Sequence, residues 1–227
     1  MLCLMLFGAS LAVAEPARKN EGEKKGVVND NYSQQLVQGL KTYYNNYEDY
    51  TAEFVQTTSH KMFAGKLKRS YGQVNFKKGG LMRWEYERPE RKFFIYDGQI
   101  LWVYEPEVPQ IFEGAADTER LRKALAFLTG EGNILKEYRT KKLSSKKFGF
   151  NEGHVLGLWP KDKTSPFEHV ELYLDKSTFQ VVRSVVVDRQ GNRNRFDFFK
   201  MEKNKGLRES LFTFKKPEGV PVHKVQQ

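Results

Sequence analysis

The stretch from Leu81 to Glu87 reads Leu-Met-Arg-Trp-Glu-Tyr-Glu. Its side chains alternate with a period of two: Met82, Trp84 and Tyr86 fall on one side, Arg83, Glu85 and Glu87 on the other. Successive side chains of a strand point to opposite faces. This pattern therefore describes a sheet with one dry face and one wet face, the habit of antiparallel sheets. Similar short runs recur: Tyr50 to Thr57, one or two between Met62 and Phe76, Lys92 to Tyr96, and Ile100 to Tyr104. Asp97-Gly98-Gln99 joins the last two, and Asp-Gly is a strong hairpin signal. After Pro106 and Pro109 the alternation stops. It resumes with Leu135 to Leu143, Val155 to Trp159, His169 to Leu174, Gln180 to Asp188 and Arg193 to Met201. The expected fold is mainly β with helices: about ten or eleven antiparallel strands.

Two segments switch to helical period. Leu36, Leu40, Tyr43, Tyr44 and Tyr47 share one stripe of a helix that starts near Asn31 or Ser33. Between the strand blocks, Asp117 to Thr129 places Leu121, Ala124, Leu125 and Leu128 in one stripe. Asp117 or Thr118 can cap its start and Gly130 its end.

Ahead of these lies Met1 to Ala14, uncharged and apolar, ending Ala12-Val13-Ala14. It has the h-region and small-x-small site of a secretory signal peptide, without a positive n-region. Glu15 to Asp30 is polar and mixed in charge, a disordered spacer by composition. Residues 31–227 are then one domain. Cys3, the sole cysteine, falls in the signal, so the mature chain has no disulfide framework or Cys metal site. The net charge is +10, and the signal contributes none of it. Such a balance suits nucleic acid or anionic membranes and acidic partners. Export argues against nucleic acid.

No enzymatic motif is legible. His60, His154, His169 and His223 have no ligand spacing. There is no nucleophile elbow and no phosphate-binding glycine loop. Aromatics make up 14% of the chain and occur in nearly every strand. That spread suits a continuous apolar lining better than the few stacking platforms of an RNA-binding sheet.

One set of motifs is specific. Phe54-Val55-Gln56 follows the Tyr-rich helix. Gly72-Gln73-Val74-Asn75-Phe76 and Leu81-Met82-Arg83-Trp84-Glu85 come next, with Pro89 shortly after. Then Asp97-Gly98-Gln99-Ile100-Leu101-Trp102-Val103-Tyr104-Glu105-Pro106 precedes Gln110. The chain ends on Phe212-Thr213-Phe214, Pro217, Gly219 and Val220. Over residues 31–222 this resembles the periplasmic outer-membrane lipoprotein carrier family, LolA. The resemblance implies an incomplete β-barrel closed by a helical lid, working as a periplasmic monomer with no cofactor and no catalysis. It implies acylated lipoproteins as cargo, an inner-membrane ABC transporter complex as donor and an outer-membrane acceptor.

On this reading Met82, Trp84, Phe94 and Trp102 line the cargo site, with Leu121 and Leu125 from the lid. The family carries Arg-Pro before the Trp strand, and that Arg latches the lid. The matching positions here are Lys78 and Gly79. A lysine cannot reproduce a planar multidentate contact, so Lys78 or Arg83 is the expected latch. A lipid sensor on the same scaffold, a carrier of another lipid and a periplasmic hydrolase remain as alternatives.

Overall fold

The computed structural model describes residues 30–61, 66–114 and 133–225. The expected signal, most of the expected spacer and the segment Asp117 to Thr129, with Leu121 and Leu125, lie outside the described residues.

Helix α1 (Asn31–Asn45) opens at Asn31, one of the two expected starts, and is capped from the residue before it. Asp30 is the N-cap, its Oδ1 accepting from Ser33 N at 2.6 Å. Ser33 faces inward instead, with Oγ 2.9 Å from Thr140 Oγ1. Leu36, Val37, Leu40, Tyr43 and Tyr44 are buried on one stripe. Tyr43 Oη donates to Gln180 Oε1 at 2.7 Å, and Tyr44 Oη accepts from Val181 N at 3.3 Å.

Eleven strands follow, ten of them in the expected places or beside them: β1 (Asp49–Ser59), β2 (Leu67–Lys77), β3 (Leu81–Arg88), β4 (Lys92–Tyr96), β5 (Leu101–Glu105), β6 (Gln110–Gly114), β7 (Tyr138–Leu143), β8 (Gly153–Pro160), β9 (Phe167–Asp175), β10 (Val181–Asp188) and β11 (Arg193–Lys203). A twelfth, β12 (Val222–Val225), closes the chain, and a one-turn helix α2 (Ile134–Glu137) precedes β7. The strands form a single open sheet in the order β12-β6-β5-β4-β3-β2-β1-β11-β10-β9-β8-β7. Strand β6 was not expected, because Pro106 and Pro109 read as an end to pairing. They frame a tight turn, and Glu105 pairs with Gln110 across it. The sheet is antiparallel except at one pair, β12 with β6.

The Asp-Gly turn forms as expected. Asp97 Oδ1 accepts from Gln99 N at 2.9 Å and Ile100 N at 2.8 Å, and Gly98 takes φ +96°. Gly72 has a different task. A Cβ there would stand 2.0 Å from Glu85 O and 2.8 Å from Cζ of Phe54, so only glycine lets that ring lie across β2.

The sheet curls. Trp84 on β3 and Phe196 on β11 are separated by two strands, or about 14 Å on a flat sheet, yet their ring centroids are 5.1 Å apart. The main core fills the inner face formed by this curl. A smaller one (Leu143, Val155, Tyr173, Val185 and Val187) lies on the outer face of β7–β10, flanked by Phe148, Phe150 and Trp159.

Beside the outer core, Glu171 is 1% exposed. Arg193 Nη2 donates to both its oxygens at 3.0 and 2.9 Å, and Tyr173 Oη donates to Oε2 at 3.0 Å. Burial alone pushes this carboxyl up. The His169 hydrogen bond, the Arg193 charge and Tyr173 outweigh it and hold the carboxyl below its ordinary 4.5. A depressed folded value means a contribution complete above the unfolded value and lost as pH falls through the folded one. Glu171→Gln should therefore cost roughly 1–3 kcal/mol at neutral pH. The gap from wild type should narrow as pH drops below 4.5, as read from urea midpoints across pH.

Candidate functional site

Strand parity decides which side chains meet. On β3, Met82, Trp84 and Tyr86 are buried inward. The register pairs Trp84 with Phe94, and Phe94 with Val103. Leu101 and Val103 therefore share the inner face, and both are buried. From the other half come Phe54, Phe196 and Phe198. Trp84 lies 5.0 Å from Phe54 and 6.2 Å from Phe198 between ring centroids, and Tyr86 lies 5.6 Å from Phe94. Three of the expected lining residues (Met82, Trp84 and Phe94) thus stand in one aromatic wall. The sequence reading missed Leu101, Val103, Phe196 and Phe198. The alternation in Arg193 to Phe198 carried a signal for the last two.

Trp102 is not in that wall. It pairs with Ile95 and Glu113, on the opposite parity. Its ring stacks on Phe214 at 5.2 Å on the outer face. Both sides of Leu-Trp-Val-Tyr are apolar, so the strand itself does not say which side faces in. Leu121 and Leu125 lie outside the described residues.

The two expected latch residues also part company. Lys78 sits in the β2–β3 turn, with Nζ 2.6 Å from Glu48 Oε1 just beyond α1. Both side chains are exposed. Arg83 points to the outer face. It pairs with Glu85, donates from Nη1 to Leu211 O at 3.2 Å, and lies over the Phe93 ring. That carbonyl belongs to the 3-10 turn Glu209–Phe212, part of a C-terminal segment that straps the outer face. Asp49 begins the strap: its Oδ1 accepts from Lys205 N and its Oδ2 from Leu207 N, at 2.7 and 2.9 Å. Phe212 is 1% exposed, and Pro221 O accepts from Ile111 N before β12 pairs with β6.

Polar groups stand at the margins of the inner face. Lys92 pairs with Glu105, whose Oε2 accepts from Gln110 Nε2 at 2.5 Å. Burial pushes the Glu105 carboxyl up, but these two donors outweigh it and hold it low. A shallow recess, open to solvent, lies at the C-terminal end of α1 between Tyr44, Tyr47, Tyr50 and Phe76. Among the described residues no group of three or more His, Cys, Asp or Glu is placed to hold a metal ion. No described helix is long and apolar enough to cross a membrane.

Because Arg83 holds the strap and Lys78 an exposed pair, their removal should differ. Arg83→Ala is expected to speed amide exchange across Leu211–Phe214. Lys78→Ala should leave the strap unchanged and cost under about 1 kcal/mol. Hydrogen exchange with peptide mapping reads both.

The model of the family described as outer membrane lipoprotein carrier protein LolA matches residues 45–215. An outer-membrane lipoprotein carrier protein of Nitrosomonas europaea is 28% identical over 192 residues, 82% of this chain and 87% of that protein. Its namesake in Pseudomonas aeruginosa is 30% identical over 186 residues, covering 82% and 86%. Among solved structures, an uncharacterized conserved protein from Thermus thermophilus superposes with a TM-score of 0.52 at 14% identity, covering 86% of this chain and 99% of that one. That likeness extends to the fold alone.

Proposed function

This chain belongs to the outer-membrane lipoprotein carrier family, LolA, and we infer that it carries lipoproteins by seating their acyl chains on the inner face of its sheet. The observation that supports this most is the continuous apolar wall of Met82, Trp84, Phe94, Phe54, Phe196 and Phe198, rings in all but the first, gathered by the curl onto one side of an open sheet. A wall of rigid rings covers hydrocarbon over a large area at low cost in side-chain entropy. Acyl chains enter by displacing what covers the wall when it is empty. The Leu121/Leu125 segment is our candidate cover, and Lys78 our candidate hold on the α1 side. We assign the work to the periplasm, between an inner-membrane ABC transporter complex and an outer-membrane acceptor, with no bond-making step.

Expression of the mature chain in a Gram-negative periplasm, detergent-free purification and native mass spectrometry test this reading. The wild type should carry lipoprotein or lipid adducts. Met82→Glu puts a charge where the residue is 3% exposed and should lower adduct occupancy about tenfold or more, with the far-ultraviolet spectrum unchanged. A wild type that stays free of adduct, even on titration with acylated peptide, would contradict the carrier reading.

A further inference from the structure

The net charge of +10 is not used by the apolar wall, and strand register shows where part of it gathers. Ser59, near the end of β1, pairs with Leu67 and with Arg193. Arg193 pairs in turn with Val187, and Asp188 with Phe167. The β1–β2, β10–β11 and β8–β9 turns therefore share one rim of the sheet. Hydrogen bonds join them. Lys61 N donates to Asn192 Oδ1 at 3.0 Å. Arg189 Nε donates to Ser165 O at 2.9 Å, and its Nη2 donates to Lys163 O.

At or beside this rim stand Lys61, Lys66, Arg69, Lys161, Lys163 and Arg189, all exposed. None of the six is ion-paired with a carboxylate among the described residues. Lys68 and Arg193 next to them are paired, with Glu90 and Glu171. Three carboxylates face the six cations: Asp162, Glu168 and Asp188. Two of them serve their own turns, as aspartates at turn starts do. Asp188 Oδ1 accepts from Gln190 N and Asn192 N at 2.9 and 2.8 Å, and its Oδ2 from Asn192 Nδ2 at 2.7 Å. Asp162 Oδ1 accepts from Thr164 N and Oγ1 at 2.8 and 2.7 Å. The rim thus presents its positive charge outward.

A shaped protein partner would call for other residues. Interface cores are depleted of lysine and enriched in aromatic rings, and no exposed large apolar residue lies on the rim among the described residues. Lysines are point charges on flexible stems and need no fixed geometry from an anion. Spread over three turns at one end of a sheet, they match a plane of phosphates. Anionic phospholipid head groups form such a plane, which attracts lysine and arginine within about a Debye length.

We propose that this rim seats the protein end-on against an anionic phospholipid surface, with the ends of β1, β8 and β10 toward the head groups. Rim binding does not require the inner face to hold acyl chains, so it goes beyond the carrier reading and can fail without it.

Sedimentation of the full mature chain with phospholipid vesicles tests this. Two preparations share their acyl chains: phosphatidylcholine alone, and an equimolar mixture with phosphatidylglycerol. The wild type should bind the mixed vesicles about tenfold or more tightly than the neutral ones, and the difference should shrink at high salt. Lys61→Gln/Lys66→Gln/Lys163→Gln should lose about a hundredfold in affinity for the mixed vesicles, at about fivefold for each charge near the surface. Lys215→Gln/Lys216→Gln/Lys224→Gln removes the same charge from the C-terminal segment and should keep wild-type binding. All six lysines are exposed, and circular dichroism checks that each variant is folded. Equal wild-type binding to both vesicles, or equal losses in the two triple variants, would overturn the proposal. So would wild-type binding kept in the rim variant. A rim that binds polyglutamate but not the mixed vesicles would also overturn it, in favour of an acidic protein partner.

Discussion

The aversion of hydrocarbon to water is the constraint around which this molecule is arranged. A chain of ~16 carbons loses about 13 kcal/mol of favourable transfer when it is held in water, at about 0.8 kcal/mol per CH₂. A flat patch of ~400 Å² returns only about 10 kcal/mol. An open sheet that curls offers more, because residues from β3 and β11 close over the same volume, as Trp84 and Phe196 do. Parity makes this possible. Every second residue of a strand contributes to one face, so β1, β3, β4 and β11 bring Phe54, Trp84, Phe94 and Phe196 to the same wall.

Curling an open sheet leaves its outer surface and edges to be covered, and the chain does this with its own ends and loops. Asp49, Lys77 and Arg83 hold the C-terminal strap by hydrogen bonds to its backbone. The strap places Phe212 and Phe214 over the outer face and adds β12 to the β6 edge. On the other half, Phe148 and Phe150 cover the smaller core, and Glu171 with Arg193 and Tyr173 closes its polar side. These outer contacts fasten the sheet from behind.

Much of this was legible in the sequence, and the reason is again parity. The alternation in Leu81 to Glu87 placed Met82 and Trp84 on one face, and the Asp-Gly turn tied β4 to β5. The same alternation already put Arg83 on the far side from Trp84, so its outward bond to Leu211 O follows from the pattern that was read. Trp102 could not be placed this way. Its strand is apolar on both faces because the strap covers the outer one, and nothing local in Leu-Trp-Val-Tyr announces a segment more than a hundred residues later. Strand β12 was missed because its pairing is parallel and remote. Strand β6 was missed because two prolines that frame a turn look like a terminus. The Lys61–Asn192 bond joins residues 131 positions apart, a distance no local pattern spans.

Tryptophan fluorescence offers the most direct test of where acyl chains sit. The chain has three tryptophans, with Trp84 in the inner wall and Trp102 on the outer face of β5, beneath the strap. Variants retaining one ring each, Trp102→Phe/Trp159→Phe and Trp84→Phe/Trp159→Phe, can be titrated with a peptide carrying brominated acyl chains, which quench only nearby indoles. Strong quenching in the variant that keeps Trp84, and little in the one that keeps Trp102, is the result this account predicts. Equal quenching of both, or quenching confined to Trp102, would contradict it.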